Sequence, residues 1–117
     1  MEEFNEVFAH EGEIFMACIN EEVIGMCMIS VIQPTAIDTM LRVPSRDGKV
    51  NMLYVSNKYR GKGIGEKLLV EGETYLEDQT HCDYINITVF ATNDIAHSLY
   101  KKHGFIDISI DMVKKLV

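Results

Sequence analysis

The sequence predicts an α/β fold (α+β by some schemes), with a mixed, mostly antiparallel central sheet flanked by helices. Three observations carry this. Two apolar runs, residues 13–19 (EIFMACI) and 23–33 (VIGMCMISVIQ), flank the short polar connection Asn20, Glu21 and Glu22, which reads as an antiparallel hairpin. Beyond residue 61 the apolar spacing changes to a helical one, with Ile64, Leu68, Leu69, Tyr75 and Leu76 on one face and Glu66, Lys67, Glu71 and Glu77 on the other. From residue 49 onward strand-like and helix-like segments alternate, giving the order β-β-β-α-β-α-β.

At the front, Phe4, Val7 and Phe8 stand at helical spacing, so residues 2–9 read as the last turns of a helix that Gly12 ends. Gly25 inside the second strand suggests a bulge or a close backbone approach. Residues 34–48 hold Pro34, Pro44 and Asp47-Gly48 and read as a long connection carrying Asp38 and Arg42; such connections are often functional. Residues 49–56 form the third strand, and a helix runs from the glycines at 61–65 to about residue 79. In residues 83–90 Ile85, Ile87 and Val89 alternate as in a strand. Residues 93–103 read as a helix capped by Asn93 and stopped by Gly104. Residues 105–116 are expected to close the sheet as a strand or hairpin.

The chain of 117 residues fits one domain, 1–117, without repeats or linkers. Its net charge of −7 argues against nucleic acid as a partner, because phosphates require a basic face. It suits a cationic amine, although acidity also serves solubility. Cys18, Cys27 and Cys82 have no CxxC spacing, and two lie in apolar runs, as buried free thiols in a reducing compartment would. The N-terminus lacks the basic flank of a signal peptide, and the longest apolar run is too short to cross a bilayer. A cytoplasmic protein without a membrane partner is expected. His10, His81 and His103 show no ligand spacing, so no metal site is expected.

The strongest local signal is Arg60-Gly61-Lys62-Gly63-Ile64-Gly65, set between a strand and a helix. Glycines turn the chain tightly and admit a ligand close to the backbone. The helix start adds unpaired N–H donors and partial positive charge, to which Arg60 and Lys62 add full charges. Together they form a cradle for pyrophosphate. A nucleotide P-loop and a Rossmann GxGxxG both fail, because each requires glycine where Glu66 stands. An ordinary glycine-rich turn is the plain alternative.

Residues 53–69, LYVSNKYRGKGIGEKLL, resemble the signature of the GNAT superfamily of acyl-CoA-dependent N-acetyltransferases, with Arg60, Gly63 and Gly65 at its fixed positions. A second element is similar at Asn93, Ala96, Tyr100, Gly104 and Phe105. The resemblance covers residues 13 to about 116 and implies roles. Backbone amides of Gly61, Lys62, Gly63, Ile64 and Gly65 would hold the pyrophosphate of acetyl-CoA. Strand 49–56, around Leu53 and Val55, would pair with the pantetheine arm as an added strand, and an N–H there would polarise the thioester carbonyl. Asn93 would contact the cofactor arm, and Tyr100 would protonate the departing thiolate. Asn93 also reads simply as a helix cap, and Tyr100 as an aromatic on a buried helix face.

The chain departs from the family pattern in two places. Its front is short: the usual first strand and first helix are expected to be missing, and a homodimer partner is one way to cover the gap. No general base stands out either. Thr88, Asn51 and Met52 occupy positions where relatives carry carboxylates, leaving Asp38, His97 or a water chain to take the amine's proton. The function expected is acetyl transfer from acetyl-CoA to a primary amine, of a small molecule or a peptide, by direct attack. The alternative is a non-catalytic module that binds acetyl-CoA or a protein.

Overall fold

The computed structural model describes residues 3–9, 12–32 and 45–117. The connection containing Asp38 and Arg42 lies mostly outside these residues. Five strands form one sheet in the order β1-β2-β3-β4-β5: β1 Glu3–Ala9, β2 Gly12–Ile19, β3 Glu22–Val31, β4 Asp47–Val55 and β5 Tyr84–Ile87. The first four pair antiparallel, and β5 joins β4 in parallel. Helix α1, Ile64–Asp78, makes the crossover from β4 to β5, and α2, Asp94–Lys102, follows β5. This is the mixed, mostly antiparallel sheet with flanking helices that the sequence predicts.

Two segments differ from expectation. Residues 3–9 are not helical turns but an edge strand in register with β2, from Glu3↔Cys18 to Ala9↔Gly12. An eight-residue window decides poorly between periods, since Phe4 and Phe8 also fit an alternation. Pairing decides it: β2 would otherwise leave a row of backbone groups unsatisfied along its outer edge. Gly12, read as a helix stop, begins β2. Among the described residues no helix precedes the sheet. Residues 105–117 form neither strand nor hairpin. Ile106, Ile108 and Ile110 do alternate, but no ladder receives them, and they stand 79, 76 and 86 % exposed.

The β2–β3 connection is tight. Asn20 and Glu21 both have positive φ, 50° and 67°, as the right-handed twist of a two-residue hairpin requires. Helix α1 covers one face of the sheet with Ile64, Leu68, Leu69 and Leu76, all buried, against Phe15, Ala17, Ile24, Cys27 and Ile29. Tyr75 sets its ring edge-on to Phe15, with centroids 5.8 Å apart. Glycine lets helix and strand approach: a Cβ on Gly48 would lie 2.8 Å from a Leu76 methyl, and one on Gly72 3.0 Å from the Cys27 sulfur.

This close approach makes Gly48 and Leu76 energetically coupled. Gly48→Ala is expected to cost about 1–3 kcal/mol by overpacking. Leu76→Ala is expected to cost about 2–5 kcal/mol by leaving a cavity. In urea denaturation the double variant should be less destabilised than the sum of the two, because the new methyl fills the space vacated; strict additivity would refute the contact.

Candidate functional site

The site forms where β4 and β5 part. Their ladder runs from Asp47↔Tyr84 to Val50↔Ile87 and stops. β4 continues to Val55, still paired with β3 through Gly25↔Val55, while residues 88–90 leave the sheet. The edge of residues 51–55 that faces away from β3 therefore has no strand beside it among the described residues. A bulge sits at the fork. Val50 and Met52 pair with the consecutive residues Ile29 and Met28, leaving Asn51 extra, and its side chain donates to Ser30 Oγ at 2.9 Å. Bulges add twist and bend a strand, which helps drive the two strands apart.

At the C-terminal end of β4 the chain makes a 3₁₀ turn, Asn57–Tyr59, and enters the glycine loop. Gly61 and Gly63 have φ of 78° and 83°, a conformation strained for any residue with a Cβ, and Gly63 caps α1. The first helical bond runs from Lys67 N–H to the Gly63 carbonyl at 3.1 Å. The N–H groups of Ile64, Gly65 and Glu66 thus have no acceptor within the helix. The Ile64 side chain is buried, so this residue presents no side chain at the loop. Arg60 donates from Nε to the Val55 carbonyl at 2.9 Å and lies 6.0 Å above the Tyr54 ring, which leaves its terminal nitrogens for an anion. Lys62 Nζ lies 6.0 Å over the Tyr59 ring. Leu53 and Val55 are half-buried against the core. The structure therefore brings all the residues proposed for the cofactor's phosphates and arm together, apart from Asn93, which caps α2.

Asn93 Oδ1 accepts the Ala96 N–H at 3.1 Å, so its capping role is real, and its amide N–H groups remain for another partner. Tyr100, on the inward face of α2, is 7 % exposed and packs on Phe105 with ring centroids 5.9 Å apart. Burial first, and the Cys27 sulfur second, push its phenol above the ordinary value, so it holds its proton at neutral pH. Burial also pushes the Cys27 thiol up to about 12, which makes it inert as a nucleophile. His97 bonds to Asp107 at 2.6 Å, with Lys101 3.4 Å from the same carboxylate. The bond to His97 is the main reason Asp107 titrates below the usual carboxylate range. Thr88 is exposed just past the end of β5, and Asp38 lies outside the described residues.

One pairing escaped sequence reasoning. Glu66, in the first turn of α1, is met by His103 at 2.7 Å and Lys102 at 3.1 Å, both from the end of α2. Its negative charge beside the glycine loop is thereby offset. His103 stands 37 residues away in the chain, with Lys102 next to it, and no local pattern announces them. A cavity of about 1470 Å³ lies elsewhere, between β5, α2 and residues 104–111, with Tyr100 on its wall but none of residues 51–65. Among the described residues no helix is long and apolar enough to cross a membrane.

Residues 1–105 match the sequence model of the Acetyltransferase (GNAT) family. The chain is 33 % identical over 92 residues to N-alpha-acetyltransferase 30 of Xenopus laevis, which covers 79 % of this chain and 31 % of that one. It thus spans about a third of that relative's length. Among solved structures it resembles a putative acetyl transferase from Pyrococcus furiosus (TM-score 0.77, 22 % identity, 92 % of this chain and 68 % of that one). It also resembles the aminoglycoside N-acetyltransferase AAC(6')-Iy in complex with CoA (TM-score 0.74, 15 % identity, 93 % and 79 %).

The Glu66 contact gives a pH prediction. His103 first, then Lys102, hold this carboxyl below its usual 4.5, so the pair stabilises the fold above that pH and stops doing so as pH falls through the lowered value. Glu66→Gln should melt below the parent at pH 7, and the gap should close as pH falls through the lowered value. A gap that stays constant with pH would show that the pair contributes nothing.

Proposed function

Because the chain belongs to the acetyltransferase (GNAT) family, we propose that it transfers an acetyl group from acetyl-CoA to a primary amine, of a peptide or a small molecule. The observation that carries this reading is the fork itself: an unpaired strand edge, residues 51–55, runs into a glycine-turned helix N-terminus flanked by Arg60 and Lys62. The two halves suit the two parts of one ligand. The free edge offers N–H and C=O groups to an extended amide-bearing arm, in the manner of an added strand. The loop amides, the helix dipole and the two cations suit its pyrophosphate. Gly61, Lys62, Gly63, Ile64 and Gly65 bind through backbone, Arg60 and Lys62 through charge, and Leu53 and Val55 line the arm. Asn93 keeps its amide N–H groups for the same arm.

The reaction is direct attack. The neutral amine adds to the thioester carbonyl, whose developing oxyanion takes a hydrogen bond from a β4 N–H, and the C–S bond breaks with Tyr100 delivering a proton to sulfur. The name of the Xenopus laevis relative makes a peptide α-amine the first acceptor to try. The cytoplasm suits the chain, whose three cysteines are all free.

Calorimetric titration with acetyl-CoA is expected to show saturable binding. Gly63→Glu should weaken it by at least 100-fold, since it sets a carboxylate and a strained φ in the cradle. Failure of the folded parent chain to bind would overturn the assignment. Tyr100→Phe should bind acetyl-CoA as the parent does and lose about 10²–10⁴-fold in kcat with a peptide amine; unchanged turnover would remove Tyr100 from the mechanism.

A further inference from the structure

The edge of residues 51–55 has two ends and two faces, and they differ chemically. One end meets the glycine loop. The other is the apex of the fork, where Val50↔Ile87 closes the ladder. An arm whose pyrophosphate sits on the loop carries its reacting end toward the apex, beside Asn51. The pleat sets the two faces. Gly48 and Val50 turn toward α1, with Leu76 against Gly48, and Tyr100 belongs to the core cluster of that face. The proton donor to sulfur thus holds one side of the arm, and the amine has the other.

That other face carries a polar group at the apex. Lys49 points there, because it alternates with Gly48 and Val50. Its directly opposite partners are Ser30 on β3 and Asn86 on β5, both neutral. Asn51, the extra residue of the bulge, reaches the same face, since its Nδ2 donates to Ser30 Oγ at 2.9 Å. That bond fixes the amide and leaves Oδ1 as an acceptor at an exposed position. The ion pairs of the described residues use His97, Lys101, Lys102 and His103, not Lys49. Three other titratable side chains share this face among the described residues. Asp47 accepts from Ser45 Oγ at 2.8 Å, with Tyr84 as its β5 partner. It lies roughly 13 Å along the strand from Asn51. Tyr54 stands toward the loop, with Arg60 6.0 Å above its ring.

A cation and an amide oxygen at one point suit a neutral amine and oppose an ammonium. The amide oxygen accepts an N–H without requiring charge. The cation repels the protonated form, which favours loss of its proton. We propose that Lys49 and Asn51 form the amine's subsite: Asn51 Oδ1 accepts an N–H of the acceptor, and the Lys49 charge keeps that amine unprotonated. The subsite rests on the acetyl-transfer reading and supplies what a carboxylate base otherwise would. The acceptor's ammonium gives its proton to water on entry. The N–C bond then forms and the C–S bond breaks, sulfur takes the Tyr100 proton, and the nitrogen's surplus proton returns to Tyr100 through water.

The dead-end complex of the chain with CoA and a peptide tests this without turnover. The peptide is isotope-labelled at the α-carbon of its first residue, whose chemical shift reports the charge of the α-amine. Once bound, that amine is expected to titrate at least about 0.5 pH below the free peptide. Lys49→Met, which keeps an apolar stem in place, should abolish the drop. Asn51→Ala should lower kcat/KM for the peptide by about ten-fold or more, with the Kd for acetyl-CoA unchanged. The proposal is overturned if the peptide does not bind the CoA complex, or if the bound amine titrates at or above the free value. A drop that survives Lys49→Met, or an Asn51→Ala chain with the parent's kcat/KM, overturns it equally. Failure of the parent chain to bind CoA removes the acetyl-transfer reading and the subsite with it; failure confined to the amine removes the subsite alone.

Discussion

The parting of β4 from β5 is the constraint on which the site depends. Four parallel residue pairs hold the two strands together, and beyond Val50↔Ile87 nothing joins them. A strand edge abandoned inside a sheet is ordinarily a liability, because each unmet N–H and C=O costs free energy. Here that cost is confined to one short edge, residues 51–55, and three features converge on it. The Asn51 bulge turns the strand away. The buried face of α1 pins its first turn to the sheet through Ile64 and Leu68. The positive-φ glycines let the chain pass from β4 into that turn without a side chain in the gap. None of the three creates a ligand site alone. Together they place unpaired strand donors and unpaired helix donors side by side.

Electrostatics follow the same logic on a chain that is acidic as a whole, at −7. The loop is a local exception, with Arg60, Lys62 and a helix N-terminus in one turn. Glu66 opposes them, since a carboxylate in the first turn favours the helix but repels an anion. The end of α2 resolves the conflict by bringing His103 and Lys102 to that carboxylate. The same contact ties α2 to α1, and so sets the position of Tyr100, one turn before His103, relative to the loop. Charge balance and placement of the proposed acid are thus one interaction.

How much of this the sequence discloses depends on the range of the interaction. Arg60 to Gly65 declare themselves because turn chemistry and helix capping are local. Asn93 declares its capping role for the same reason, and Tyr100 its burial by helical spacing. The hairpin of β2 and β3 is legible from two apolar runs and a polar turn. Residues 3–9 are not, because Phe4, Val7 and Phe8 satisfy a helical spacing while the pairing with β2 decides the outcome. Residues 105–117 mislead in the opposite sense: Ile106, Ile108 and Ile110 have a strand's alternation, but a strand exists only where another receives it. The Glu66–His103 contact and the cavity beside β5 depend wholly on tertiary placement.

The protonation of Tyr100 bears on why a strong general base is not conspicuous. A phenol near 10 is a weaker acid than a thiol near 8.5, and burial raises Tyr100 further. Full transfer of its proton to a free thiolate would therefore run uphill. In the proposed reaction the difference is made up by the amine, which becomes cationic on attack and strongly acidic as its nitrogen bonds to the carbonyl carbon. A phenol that gives a proton to sulfur and recovers one from that nitrogen, directly or through water, is restored within the turnover. Its high affinity for the proton then assists the second half of the exchange as much as it hinders the first. On this account the base has only to bring the amine to the carbonyl uncharged. That task suits a side chain or water at the mouth of the site better than a fixed carboxylate on β4 or just past β5, where this chain has the exposed Asn51, Met52 and Thr88.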